Sequence, residues 1–139
     1  TSEENKNLIY DFGLNLGIAF QLQDDYLDAF GNPETFGKQV GGDIIENKKT
    51  YLYLKAIEFS KAEEKQQLLH LFSIQPSENT DKIESVKALF NVSGASEATK
   101  KAIQDYTFKA FETLEKMDIE AEKKAILKAF GENLMGRNV

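Results

Sequence analysis

No cysteine occurs in this sequence, which excludes disulfides, zinc–thiolate centres and cysteine nucleophiles and agrees with a cytoplasmic protein. No uninterrupted apolar run reaches the roughly 18 residues of a membrane span, and the start shows no signal-peptide pattern. Arginine is almost missing: Arg137 stands alone beside sixteen lysines. Bidentate phosphate recognition relies on arginine, so a complete phosphate-handling enzyme would carry more. The chain also does not open on methionine, and we expect a piece of a larger protein. Proline appears twice, at Pro33 and Pro76, and β-branched alternation is sparse, which argues against a sheet. The single histidine, His70, lies between leucines far from any other candidate group, and a structural role is expected for it. A net charge of −6 argues against nucleic acid as a partner.

What remains is 139 residues, 41% of them hydrophobic, enough for one domain with a core. The expected fold class is all-α: a helical bundle, with residues 1–139 forming a single helical segment. A capping box of Thr1 and Glu4 opens a first helix that runs to about Phe30, where Gly31-Asn32-Pro33 breaks it. A Gly-rich loop leads to a second helix, capped by Asp43 and carrying Tyr51, Leu52, Leu54, Ile57 and Phe59. A third starts near Lys61. A fourth follows Pro76-Ser77 with Thr80 or Asp81 as its cap, a fifth starts at Gly94 to Ser96, and a sixth follows Asp118.

The densest chemistry sits in Phe20-Gln21-Leu22-Gln23-Asp24-Asp25-Tyr26-Leu27-Asp28. On a helix, Gln21, Asp24, Asp25 and Asp28 share an arc of about 100°. Like charges at this spacing repel by a few tenths of a kcal/mol per pair. Either the cluster is an acidic solvated face near a helix end, or a hard cation offsets the repulsion. The apolar flanks, Ile18 to Phe20 before and Leu27 and Phe30 after, argue for the cation. Carboxylates without His or Cys suit magnesium, which keeps several waters and takes one or two carboxylates plus substrate phosphates. Lys38, Lys48 and Lys49 follow, and metal with lysine is a common arrangement for stabilising a departing diphosphate. Tyr10, Gly13, Gly17, Gln21, Asp24 and Asp28 also form one stripe along the helix. Its two glycines, each costing about 1 kcal/mol against alanine, mean close helix packing or a groove for an elongated apolar ligand.

The string Gly17-Ile-Ala-Phe-Gln-Leu-Gln-Asp-Asp-Tyr-Leu-Asp28, followed by Phe30-Gly31-Asn32-Pro33, Gly37-Lys38 and Asp43-Ile44 with Lys48, resembles the second aspartate-rich region of the trans-isoprenyl diphosphate synthases, the polyprenyl synthetase family. The resemblance covers about Tyr10 to Tyr51, and the later helices match only in general character. It implies that Asp24, Asp25 and Asp28 hold Mg2+ bound to an allylic diphosphate, with Asp24 the most direct ligand. It further implies that Lys38 and Lys48 contact that diphosphate and assist catalysis, that Phe20 and Gln21 line the site beside the reacting prenyl carbons, with Gln21 also assisting catalysis, and that Asp43 supports Lys48. The implied reaction is prenyl transfer from the allylic diphosphate to isopentenyl diphosphate. The family's first aspartate-rich motif, with its trailing arginines, and its basic groups for isopentenyl diphosphate are not in this sequence. The chain therefore resembles about half of the isoprenoid synthase fold, the C-terminal part. It is expected to be inactive alone and to associate through exposed helix faces, as a homodimer or with the missing half. A related terpenoid synthase, or a non-catalytic synthase-like subunit that regulates a partner, are the competing readings.

Overall fold

A computed structural model describes residues 2–31 and 41–136. Seven helices and no strand occur among the described residues: α1 (Ser2–Phe30), α2 (Gly42–Ile45), α3 (Tyr51–Phe59), α4 (Ala62–Leu71), α5 (Thr80–Ser93), α6 (Ala95–Glu115) and α7 (Ala121–Met135). The all-α expectation holds. None of these helices is long and apolar enough to cross a membrane. The chain divides into two compact units, to both of which α1 and α6 contribute.

The first unit joins residues 2–23 to residues 101–136. Its core is Phe12, Leu16, Ala110, Leu114 and Met117, edged by Leu8, Phe111, Leu127 and Leu134. Gly131 is needed here, because a Cβ would sit 2.9 Å from the Phe111 ring. The start of α1 is tied down by Asn5, whose amide donates to the Asp118 carbonyl and accepts the Asp118 N–H. Gly13 and Gly17 face open space, for a Cβ at either would meet nothing within 4 Å. Of the two readings of the glycine stripe, close packing is therefore absent among the described residues. Tyr10, Phe108, Ile126 and Phe130 stay more than half exposed.

The second unit joins residues 24–31 to residues 41–100. Its core collects Ala29, Ile44, Leu52, Ala56, Leu68, Val86, Leu89 and Phe90, with the Tyr53 and Phe72 rings tilted against each other at 4.5 Å between centroids. Helix α5 is the hub that α2, α3 and α4 all touch. Gly41, at φ 94°, is required by its left-handed backbone, and a Cβ there would also press on Ile83 at 2.9 Å.

The single helix expected from Asp43 through Phe59 is two. Glu46 ends α2, Asn47 turns left-handed at φ 59°, and Thr50 caps a new helix by accepting the Tyr53 N–H on its hydroxyl. Asn tolerates this conformation better than most residues, which is why the chain can reverse there. Gly41, not Asp43, is the N-cap of α2. At α5 the N-cap is Asn79 rather than Thr80 or Asp81. The Glu78 carboxylate takes the Thr80 N–H at 2.6 Å, which leaves Thr80 to enter the helix as its first residue. Lys61 precedes α4 as expected, with its N–H donating to Glu64. Thr1, the expected first cap, lies outside the described residues.

Candidate functional site

Asp24, Asp25 and Asp28 sit in the last turns of α1, and the structure gives each a different surrounding. Asp28 is buried at 5% exposure, Asp25 at 8%, and Asp24 is half-buried. Asp28 organises the start of α2: its Oδ2 accepts the Asp43 N–H at 2.7 Å, and its backbone carbonyl accepts the Gly41 N–H. A Cβ at Gly42 would meet Asp28 Oδ1 at 3.4 Å, an ordinary contact, so the approach does not demand glycine there. Burial of a carboxylate is tolerated when N–H donors face it, and Asp28 has one from the chain it positions.

Lys48 joins this group from the turn after α2. Its Nζ lies 3.7 Å from Asp25 Oδ1 and 3.9 Å from Asp43 Oδ1. The side chain is 51% exposed, so these are solvent-screened pairs, worth little to the fold. A cation held that weakly between two carboxylates can turn to a phosphate at small cost. Lys48 is nonetheless well placed at its backbone. Its N–H donates to the Asp43 carbonyl at 2.8 Å, so the residue that bears one partner carboxylate also fixes the lysine's own position.

Among the sequence-derived candidates, the structure thus brings together Asp25, Asp28, Asp43 and Lys48, with Asp24 one residue before Asp25 on the same helix. Phe20, half-buried, and Gln21, exposed, fall in the stretch of α1 that belongs to the first unit. Lys38 and its neighbour Gly37 lie outside the described residues. Lys49 is exposed, and His70 is an exposed residue in the last turn of α4. Among the described residues no three His, Asp or Glu side chains converge as a closed set of metal ligands.

Three residues of this region escaped the sequence reading: Asn47, Thr50 and Lys82. Lys82 is 3% exposed, and its Nζ donates to Asn47 Oδ1 at 2.5 Å and to the Ile74 carbonyl at 2.8 Å. Burial pushes its pKa below the usual lysine value. The signal for it was present, since Lys82 leads the apolar line Val86, Leu89 and Phe90 at helical spacing.

The first unit has separate clefts. One, of about 410 Å³, is lined by Gln23, Ile103, Gln104, Thr107, Phe108, Phe111 and Met135. The Gln23 amide donates to the Met135 carbonyl at 2.9 Å, while its Oε1 is buried without a partner. None of the acidic candidates or Lys48 lines it.

Comparison with known proteins agrees with the motif. Residues 1–92 match the polyprenyl synthetase family. The chain is 35% identical over 111 residues to farnesyl pyrophosphate synthase 2 of Lupinus albus, covering 80% of this chain and 30% of that one. A crystallised geranylgeranyl pyrophosphate synthase superposes with a TM-score of 0.86 at 51% identity, covering 99% of this chain and 43% of that one. A geranylgeranyl pyrophosphate synthase of Corynebacterium glutamicum, crystallised with isoprenyl diphosphate and magnesium, superposes at 0.81 with 28% identity, covering 95% and 37%. The chain spans about a third of the length of the curated relatives it matches. On the family match over residues 1–92 and these similarities, the chain belongs to the polyprenyl synthetase family and has its all-α isoprenoid synthase fold.

Proposed function

We propose that this chain supplies one diphosphate-holding side of a trans-prenyltransferase of the farnesyl or geranylgeranyl diphosphate synthase type. The observation that carries the reading is Lys48 held between Asp25 and Asp43, beside the half-buried Asp24, in a family whose members include a chain crystallised with isoprenyl diphosphate and magnesium. The donor set suits Mg2+: it is all oxygen, and a metal that arrives with its diphosphate needs few protein ligands. Asp24, Asp25 and Asp28 would hold the metal, which when bound neutralises charge on the diphosphate oxygens.

The chain's own residues do the rest. Lys48 turns from its screened carboxylates to the diphosphate and stabilises negative charge as the group leaves. Lys38, in the Gly-rich sequence before Gly42, would be its counterpart. Asp28 and Asp43 hold α2 and the turn after it in place. Phe20 and Gln21 line the space next to the prenyl carbons, and Gly13 and Gly17 leave room along α1 for an apolar chain. The co-substrate is isopentenyl diphosphate, whose binding groups would come from the rest of the domain. Alone, the chain is expected to be inactive and to pair through exposed apolar helix faces, with itself or with that remainder. The test is calorimetric titration of the chain with inorganic pyrophosphate, with and without magnesium. Magnesium-dependent binding that disappears in Asp24→Ala supports the reading, and binding indifferent to both sinks it.

A further inference from the structure

A lysine at 3% exposure is unusual, and Lys82 is more unusual in its company: its ammonium meets two neutral oxygens and pairs with no acid among the described residues. Such burial is costly unless the donors are used. Here both acceptors converge on one turn. Asn47 Nδ2 donates to the Ile74 carbonyl at 3.2 Å, and Lys82 Nζ bridges that same carbonyl and Asn47 Oδ1. The Asn47 side chain is thus held at both ends, by the strand of chain before α5 and by α5 itself. Asn47 is the described non-glycine residue with positive φ, and Lys48 follows it directly. Apolar packing could fill the Lys82 position; only a donor can reach both oxygens.

We propose that Lys82 is a positioning residue for Lys48: its buried ammonium locks the Asn47 side chain and with it the left-handed turn that delivers Lys48 to Asp25 and Asp43. What Lys48 does there rests on the diphosphate reading above; how Lys48 is placed rests on the geometry alone. The lock lets Lys48 stay half exposed and weakly paired while its backbone keeps one position, which narrows the space its ammonium samples. Burial depresses the Lys82 pKa.

Two measurements on the chain separate this from a merely structural role. The first uses no ligand. Amide hydrogen exchange by NMR in Lys82→Met should quicken at Lys48 and Thr50 by about tenfold more than at Leu68 and Phe90, whose amides lie within α4 and α5. Uniform acceleration, or none, overturns the proposal. Asn47→Gly keeps the left-handed backbone but removes the amide, and should show the same local effect. If Lys82→Met does not fold, that variant decides alone. The second measurement is affinity for magnesium pyrophosphate. Lys48→Met and Lys82→Met should each weaken it by about tenfold, and the double variant should be no weaker than Lys48→Met. Additive losses overturn the positioning role. If the unaltered chain does not bind pyrophosphate, the diphosphate reading fails and the exchange experiment still judges the lock.

Discussion

Across fifteen residues of sequence, the Asp28 carboxylate accepts the Asp43 backbone N–H at 2.7 Å. A residue read as a metal ligand is thus also the peg on which the next helix hangs. Asp28→Ala should lower stability by about 1.5–3 kcal/mol, the usual loss for a buried hydrogen bond to a charged group. Asp28→Asn keeps an acceptor oxygen and should lose less. Urea denaturation midpoints at unchanged slope are the check, and equal losses in the two variants would contradict it.

The glycines of the first unit should respond with opposite signs. Gly13→Ala and Gly17→Ala face open space and should each raise stability by about 0.5–1 kcal/mol through helix propensity. Gly131→Ala forces a methyl to 2.9 Å from the Phe111 ring and should cost about 1–3 kcal/mol. Thermal melts of the three variants decide it.

Glu78 gives an acid-side prediction. Hydrogen bonds from Thr80 hold its pKa below the ordinary glutamate value. The folded form therefore binds its proton less readily than the unfolded chain. Its stabilisation is complete above the unfolded pKa and is lost as pH falls through the folded one. Wild type should exceed Glu78→Gln in stability at neutral pH, with the gap closing in acid. A gap that persists in acid would refute the assignment.

Lys82 runs the other way. Its folded pKa lies below its unfolded value, so between the two the unfolded chain binds more protons and raising the pH stabilises the fold. The cost of the buried charge is present in full at neutral pH and is relieved in alkali. The stability of the unaltered chain relative to Lys82→Met should therefore rise on going from neutral to alkaline solution.

The helices are legible in the sequence wherever local rules decide them. Ala62–Leu71 follows Lys61, and Ala95–Glu115 follows Gly94 at φ 91°, because apolar spacing and a permissive glycine are local facts. Between Asp43 and Phe59 they are not, because Asn47 interrupts an unbroken helical pattern and a hydroxyl at Thr50 restarts it. Helix propensity alone does not show that break; tertiary hydrogen bonds to the Ile74 carbonyl and from the Lys82 ammonium hold it. The acidic face was legible because three aspartates at helical spacing are rare company for apolar neighbours. Which of them is buried, and which accepts a backbone N–H, depends on residues 15 and more positions away. That is long-range information, and no spacing rule contains it.

The burial of Lys82 also makes this chain a chemical timepiece. Among the described residues it is the one lysine held out of solvent, so reagents that acylate or reductively methylate amines should reach it last. Once the second unit opens, its amine becomes as reachable as any other. The rate at which Lys82 takes up label, set against Lys101 or Lys109 on the exposed side of α6, then reports how often this unit comes apart. A mass spectrum of labelled peptides would read the breathing of the turn that carries Lys48 without any mutation at all.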